Sequence, residues 1–172
     1  ADENILPLID STVMNGELKI SWKKNLNFNT NSSIKFIITC KDIENINTQG
    51  TVCLNSKLLK VKNLNINASG SSKLNLKILS DNLNLSSFGS SKITLSGDVE
   101  KFHIDISGVG QCHAYDLSCH QIFVSASGSC NVEVWGVIIS GNISGNSKLK
   151  YKGLPKRVNV NSSGSSKVKK QV

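Results

Sequence analysis

The chain has 172 residues, a formal charge of +8, 38% hydrophobic and only 5% aromatic residues. That length fits one domain or two small ones, and so few aromatics exclude a bulky core. Leu, Ile and Val recur too regularly for a disordered chain, so the composition points to an all-β protein of many short strands. The lysines are scattered through strand-like segments rather than gathered in an arm, which argues for a solvated face and against nucleic-acid binding. No apolar run is long enough to span a bilayer as a helix. The opening "ADENILPLI" reads as an interior segment, so a leader is expected upstream.

In chain order, "ENILPLI" suggests a short helical turn. "VMNGELKISW" places Asn15-Gly16 between strand-like flanks, a strong local cue for a hairpin. "SIKFIITC" alternates Ile34, Phe36, Ile38 and Cys40 and predicts another strand. Residues 1–49 together read as an N-terminal strand/hairpin cap, and residues 50–172 as repeated coils of one domain. A cap is expected because an open β-helix end invites edge-to-edge association.

From Gly50 onward a Gly-Ser-Ser-Lys-like phrase recurs. Taking Gly70, Gly89, Gly110, Gly128, Gly145 and Gly164 as anchors gives spacings of 19, 21, 18, 17 and 19 residues. Four residues after each anchor, and after Gly50, stand Leu54, Leu74, Ile93, Ala114, Val132, Leu149 and Val168, all apolar. Pairs such as Leu64/Ile66, Leu83/Leu85 and Ile122/Val124 precede the glycines with polar residues between most of them, the alternation of a half-buried strand. Helical repeats are excluded because no window keeps a 3.6-residue period. A period of about 19 suits a parallel β-helix, with coils stacked about 4.8 Å apart and seven coils spanning roughly 30 Å.

Stacking turns each repeat position into a ladder. Two residues past the anchors, facing inward, the alignment places Ser72, Ser91, Cys112, Cys130, Ser147 and Ser166. One further on, facing outward, stand Lys73, Lys92, His113, Asn131, Lys148 and Lys167. Glycine suits a corner that needs positive φ, and serine can satisfy corner backbone groups. Phe88 and Val109 precede their anchors as exposed corner residues, a small contact patch or two tolerated apolar side chains.

The phrases "ENILPLIDSTVMNGELKISW" and "IKFIITCKDIENINTQGTV", followed by units such as "ASGSSKLNL", resemble the auto-transporter adhesin head domain family called GIN. The resemblance covers essentially the whole chain. It implies a right-handed, single-stranded parallel β-helix in an exported bacterial protein, located in the periplasm, outer membrane or cell surface. The family supplies no catalytic or binding residues to carry over. Cysteine in place of serine at two coil positions is a departure from its pattern.

Among candidate chemistries, Cys112 and Cys130 fall at one repeat position, as stacked inward thiols or, less suitably for parallel side chains, a disulfide. Cys112-His113 and Cys119-His120 offer four soft ligands, but neighbours in a strand face opposite ways, so no metal is expected. Asp81, Asp98, Glu100, Asp105, Asp116 and Glu133 occupy different repeat positions, which argues against a paired-carboxylate enzyme. The "GSSK" phrase lacks the ending and following helix of a phosphate loop, and no cofactor is implied. The outward Lys73, Lys92, His113, Lys148 and Lys167 are the ligand-binding candidates, for an anionic glycan or cell-surface polymer. Two rivals stay open: an envelope-associated scaffold, self-associating as a homo-oligomer, and a polysaccharide-active β-helix enzyme.

Overall fold

The computed structural model describes residues 6–23 and 34–171. The chain divides into two compact units, Ala1–Cys40 and Lys41–Val172. In the first, a 3-10 turn at Leu6–Leu8 leads into β1 (Ile9–Met14) and β2 (Glu17–Trp22), an antiparallel hairpin. Asn15 and Gly16 at its tip have φ of 52° and 79°, the two positive values that a tight hairpin turn requires. Glu3–Ile5 of the expected helical turn lie outside the described residues. The strand expected at Ile34–Cys40 is absent: among the described residues this segment pairs with no strand. Alternation supplies a face, but a strand also needs a hydrogen-bonding neighbour.

The second unit is a parallel β-solenoid of about seven turns. Its strands are β3 (Asn45–Lys60), β4 (Asn63–Gly108), β5 (Gln111–Gly128), β6 (Asn131–Ile143), β7 (Lys148–Lys152), β8 (Arg157–Ser162) and β9 (Lys167–Lys170). The sheet is parallel throughout, with order β3-β4-β5-β6-β7-β9 and β8 against β6. Coiling starts at Asn45, which pairs with Asn65, earlier than the Gly50 expected from the repeat. Between its bends, β4 buries alternate residues, including Leu64 and Ile66, Leu74, Leu76 and Ile78, and Leu83 and Leu85. Alternation thus delivers one aliphatic side chain at a time to a narrow core, where each buried Leu or Ile contributes about 1.5–3 kcal/mol.

The corners follow one glycine per coil, but the sequence alignment misplaces one of them. Gly50, Gly70, Gly89, Gly108, Gly128, Gly145 and Gly164 all have positive φ. From Gly70 on, a Cβ on each would lie 2.5–3.0 Å from the carbonyl oxygen of the preceding corner glycine. Gly108, not Gly110, is therefore the corner of "SGVGQC". Gly110 instead takes the small inward position shared with Ser91 and Cys130. A Cβ there would meet Cγ2 of Ile106 at 2.3 Å. In the preceding coil the equivalent pair is Ser87 and Ser91, whose hydroxyls hydrogen-bond at 2.5 Å. Isoleucine opposite glycine replaces serine opposite serine: the larger residue fills the space that the smaller one leaves.

Asparagines tie the coils together along the outside. Asn65 Nδ2 donates to Asn45 Oδ1 at 3.1 Å, and Asn84 Nδ2 to Asn65 Oδ1 at 2.8 Å. Asn67–Asn47, Asn82–Asn63 and Asn161–Asn142 repeat the arrangement at 2.8, 2.8 and 2.9 Å. Identical amides stacked at the coil spacing pair donor to acceptor, which suits asparagine to a parallel ladder.

Candidate functional site

Correcting the corner by two residues redraws the outer face. One outward column runs Cys53, Lys73, Lys92, Gln111, Asn131, Lys148 and Lys167. Lys73 and Lys92 are linked here by the 19-residue offset that the Asn82–Asn63 and Asn84–Asn65 hydrogen bonds fix. His113 is not in this column. It pairs with Thr94 and Glu133, and its column continues through Lys150 to Lys169. A third column carries Trp135 beside Lys152.

Four lysines, Lys148, Lys150, Lys167 and Lys169, thus form a two-by-two grid across β7 and β9. Their columns are two residues apart, about 6.8 Å along a strand, and their rows one coil apart, about 4.8 Å. They line a shallow hollow of about 220 Å³ together with Leu149. Only one of the four has a carboxylate partner among the described residues: Lys150 Nζ lies 3.1 Å from Glu133 Oε1. Lys73 and Lys92, by contrast, stand as an isolated pair with Asn75 and Thr94 as the residues two further on.

Glu133 is the organising acid of this face. Its Oε2 accepts from His113 Nδ1 at 2.7 Å, and its Oε1 from Lys150 Nζ and from Asn131 Nδ2 at 3.2 Å. Partial burial acts to raise its pKa, but the hydrogen bonds from His113, Lys150 and Asn131 outweigh burial and hold the carboxyl below the ordinary glutamate range. An alignment anchored on Gly110 sets His113 one ladder away from Glu133, whereas the observed register pairs them.

The same shift separates the two thiols thought to stack. Cys112 pairs with Val132 and occupies the main apolar position, whereas Cys130 stands in the small inward column with Gly110. All five cysteines are free. Burial, and then the charge of Glu133, pushes the Cys112 thiol up to about 12. Cys119 is likewise pushed up to about 12, chiefly by burial, and its thiol donates to the Gln121 carbonyl at 3.1 Å. No His, Cys, Asp or Glu group among the described residues could hold a metal ion.

Of the six carboxylates considered for catalysis, Asp81, Asp98 and Glu100 line a second hollow of about 420 Å³ with Lys60, Val61, Leu79 and Ser80. Asp105, Asp116 and Glu133 do not join them. Phe88 and Val109 are both exposed at successive corners.

The model of the family described as "Putative auto-transporter adhesin, head GIN domain" matches residues 1–155. The chain belongs to this family. A "putative adhesin" from Bacteroides fragilis shares 22% identity with this GIN-family chain at a TM-score of 0.92, covering 98% of this chain and 79% of the other. A "putative lipid binding protein" from Parabacteroides distasonis shares 25% identity at a TM-score of 0.74, covering 99% and 82%. A "putative adhesin" from Parabacteroides merdae shares 18% at 0.69, covering 99% and 81%. The likenesses at 22% and 18% establish the solenoid fold and no more. No curated protein matches the chain at a significant level. The match includes Lys148 and Lys150 and ends before Lys167 and Lys169. No helix among the described residues is long and apolar enough to cross a membrane.

Proposed function

We propose that this GIN-family chain is a non-enzymatic, exported binding module that holds an anionic polymer on the Lys148, Lys150, Lys167 and Lys169 face. The observation that carries the reading is the grid itself, four amines around one hollow with a single carboxylate against them. Like charges so spaced repel one another, and a polymer bearing sulfate, phosphate or carboxylate groups relieves that repulsion. Lys73 and Lys92 extend the first column toward the earlier coils, and His113 enters through its bond to Glu133 rather than as a rung of that column. The family's adhesin description supports export to a bacterial surface compartment.

The test is binding to immobilised dextran sulfate and to uncharged dextran. Dextran sulfate is expected to bind, less tightly as salt rises, and Lys148→Gln/Lys167→Gln to weaken it about tenfold. Uncharged dextran binding equally, or the double variant binding as well as the parent, overturns the reading. Vesicles with phosphatidylglycerol form a second arm, since one structural relative carries a lipid-binding description. Preference for the vesicles over dextran sulfate would assign the same amines to lipid headgroups. Regular self-assembly with no polyanion binding would favour the scaffold.

A further inference from the structure

Beside the lysine grid the coil departs from its regular path. Ala114 pairs with Val134 and Ser118 with Trp135, so Tyr115, Asp116 and Leu117 have no counterpart in the next coil. Leu117 turns into the core, while Asp116 is exposed and Tyr115 is partly so. This extra length brings Tyr115 beside the third column, where Trp135 is 43% exposed. The Lys152 ammonium lies 5.2 Å from the Tyr115 ring centroid, 5.7 Å from that of Trp135 and 3.8 Å from Asp116 Oδ1.

Two details mark this as an organised surface. The next coil passes so close to the indole that a Cβ on Gly153, at φ +87°, would lie 2.7 Å from Trp135 Nε1. The backbone of that coil therefore fixes the edge of the ring and leaves part of it to solvent. The Tyr115 hydroxyl is buried without a hydrogen-bond partner among the described residues. Burying that hydroxyl turns the phenol edge inward and leaves the partly exposed ring to the surface.

We infer that Trp135, Tyr115, Asp116 and Lys152 form a pyranose-stacking subsite at the edge of the lysine grid. An aromatic face offers a flat apolar surface to the C–H face of a sugar ring, with the indole edge polar. Asp116 accepts from sugar hydroxyls and Lys152 donates, and the two charges cancel locally, so the ring on the platform is a neutral sugar. Lys152 is a flexible side chain and moves aside without backbone rearrangement. Trp135 lies two residues beyond Glu133 on the same outward face, about 6.8 Å along the strand. A glycan alternating neutral and acidic sugars can therefore set one ring on Trp135 and its neighbouring carboxylate toward Lys150. The inference deepens the polyanion reading, on which it rests for the charged half of the ligand.

Hyaluronan octasaccharide and acetylated, amidated tetraglutamate carry four carboxylates each, and only the first has sugar rings. The whole chain is expected to bind the octasaccharide about tenfold more tightly than the peptide. Trp135→Ala is expected to erase that preference while keeping tetraglutamate binding, and Trp135→Tyr to keep most of it. Equal binding of the two probes by the parent chain, or a preference that survives Trp135→Ala, overturns the subsite. Lys148→Gln/Lys167→Gln is expected to weaken both probes. If it weakens neither, the polyanion reading fails, while the Trp135 comparison still decides the subsite. Matched urea midpoints for Trp135→Ala and Trp135→Tyr separate lost stacking from lost folding.

Discussion

The segment "SGVGQC" holds two glycines, and alanine at each tests which one makes the corner. At Gly108 the backbone has φ +95°, and a Cβ would stand 2.7 Å from the Gly89 carbonyl oxygen and 3.2 Å from its nitrogen. An L-residue in such a conformation costs about 1–3 kcal/mol. The obstructing atoms are backbone of the coil below, so relief requires parting two coils, which adds about 1–3 kcal/mol of overpacking strain. Gly108→Ala should therefore cost about 2–6 kcal/mol. At Gly110 the obstruction is one methyl group of Ile106, and the cost should be about 1–2 kcal/mol of overpacking alone. Moreover, Gly110→Ala should lose its penalty in an Ile106→Ala background, whereas Gly108→Ala should not. Urea unfolding of the five variants (both single glycine variants, Ile106→Ala and the two doubles), followed by far-UV circular dichroism and compared at equal m-value, supplies the numbers. A smaller loss for Gly108→Ala than for Gly110→Ala would refute the corner assignment. An undiminished Gly110→Ala penalty without Ile106 would refute the size exchange.

The thiols and the central acid give two further tests. Exposed Cys40 and Cys53 should react promptly with an aromatic disulfide reagent, while buried Cys112, Cys119 and Cys130 should react only on unfolding. Mass spectrometry of the quenched reaction reads this directly, and early labelling of Cys112 would contradict its burial. Because the folded Glu133 pKa lies below its unfolded value, its contribution to stability is fully present above the ordinary glutamate pKa of about 4.3. That contribution is lost as pH falls through the lower folded value. Glu133→Gln should therefore flatten the acid limb of a thermal-stability profile below pH about 4.3, and an unchanged limb would contradict the His113 and Lys150 bonds.

Much of the solenoid is legible in the sequence because stacking constrains residues one coil apart to do the same physical work. Inward Leu74, Ile93, Val132, Leu149 and Val168 appear at the expected interval, and the Asn15-Gly16 hairpin is plain from its turn. The alignment slips where coils differ in length. The true corner column runs from Gly108 to Gly128 and on to Gly145, intervals of 20 and 17. The unmatched Tyr115–Leu117 segment takes up the difference, and an average period cannot show it. A corner at Gly110 would put His113 in the column of Asn131, whereas the corner at Gly108 sets it against Glu133. Lys150 and Lys169 were within reach, being the next outward positions after Lys148 and Lys167. The meeting of Tyr115, Trp135 and Lys152 was not, because it depends on how the extra residues are spent in three dimensions. Ile34–Cys40 shows the opposite failure, a strand-like pattern with no pairing partner described.

The asparagine ladders also give the stack a direction. In each of the five amide pairs the nitrogen belongs to the later coil and the oxygen to the earlier one. Corner bonds such as Val109 N to Gly89 O, Ser129 N to Gly108 O and Ser165 N to Gly145 O point the same way. Regular parallel strands cancel most of their peptide dipoles, but these aligned groups do not cancel. Acceptor oxygens therefore look toward the last coils, and the amines of Lys148, Lys150, Lys167 and Lys169 gather there, as cations gather at the carbonyl end of a helix.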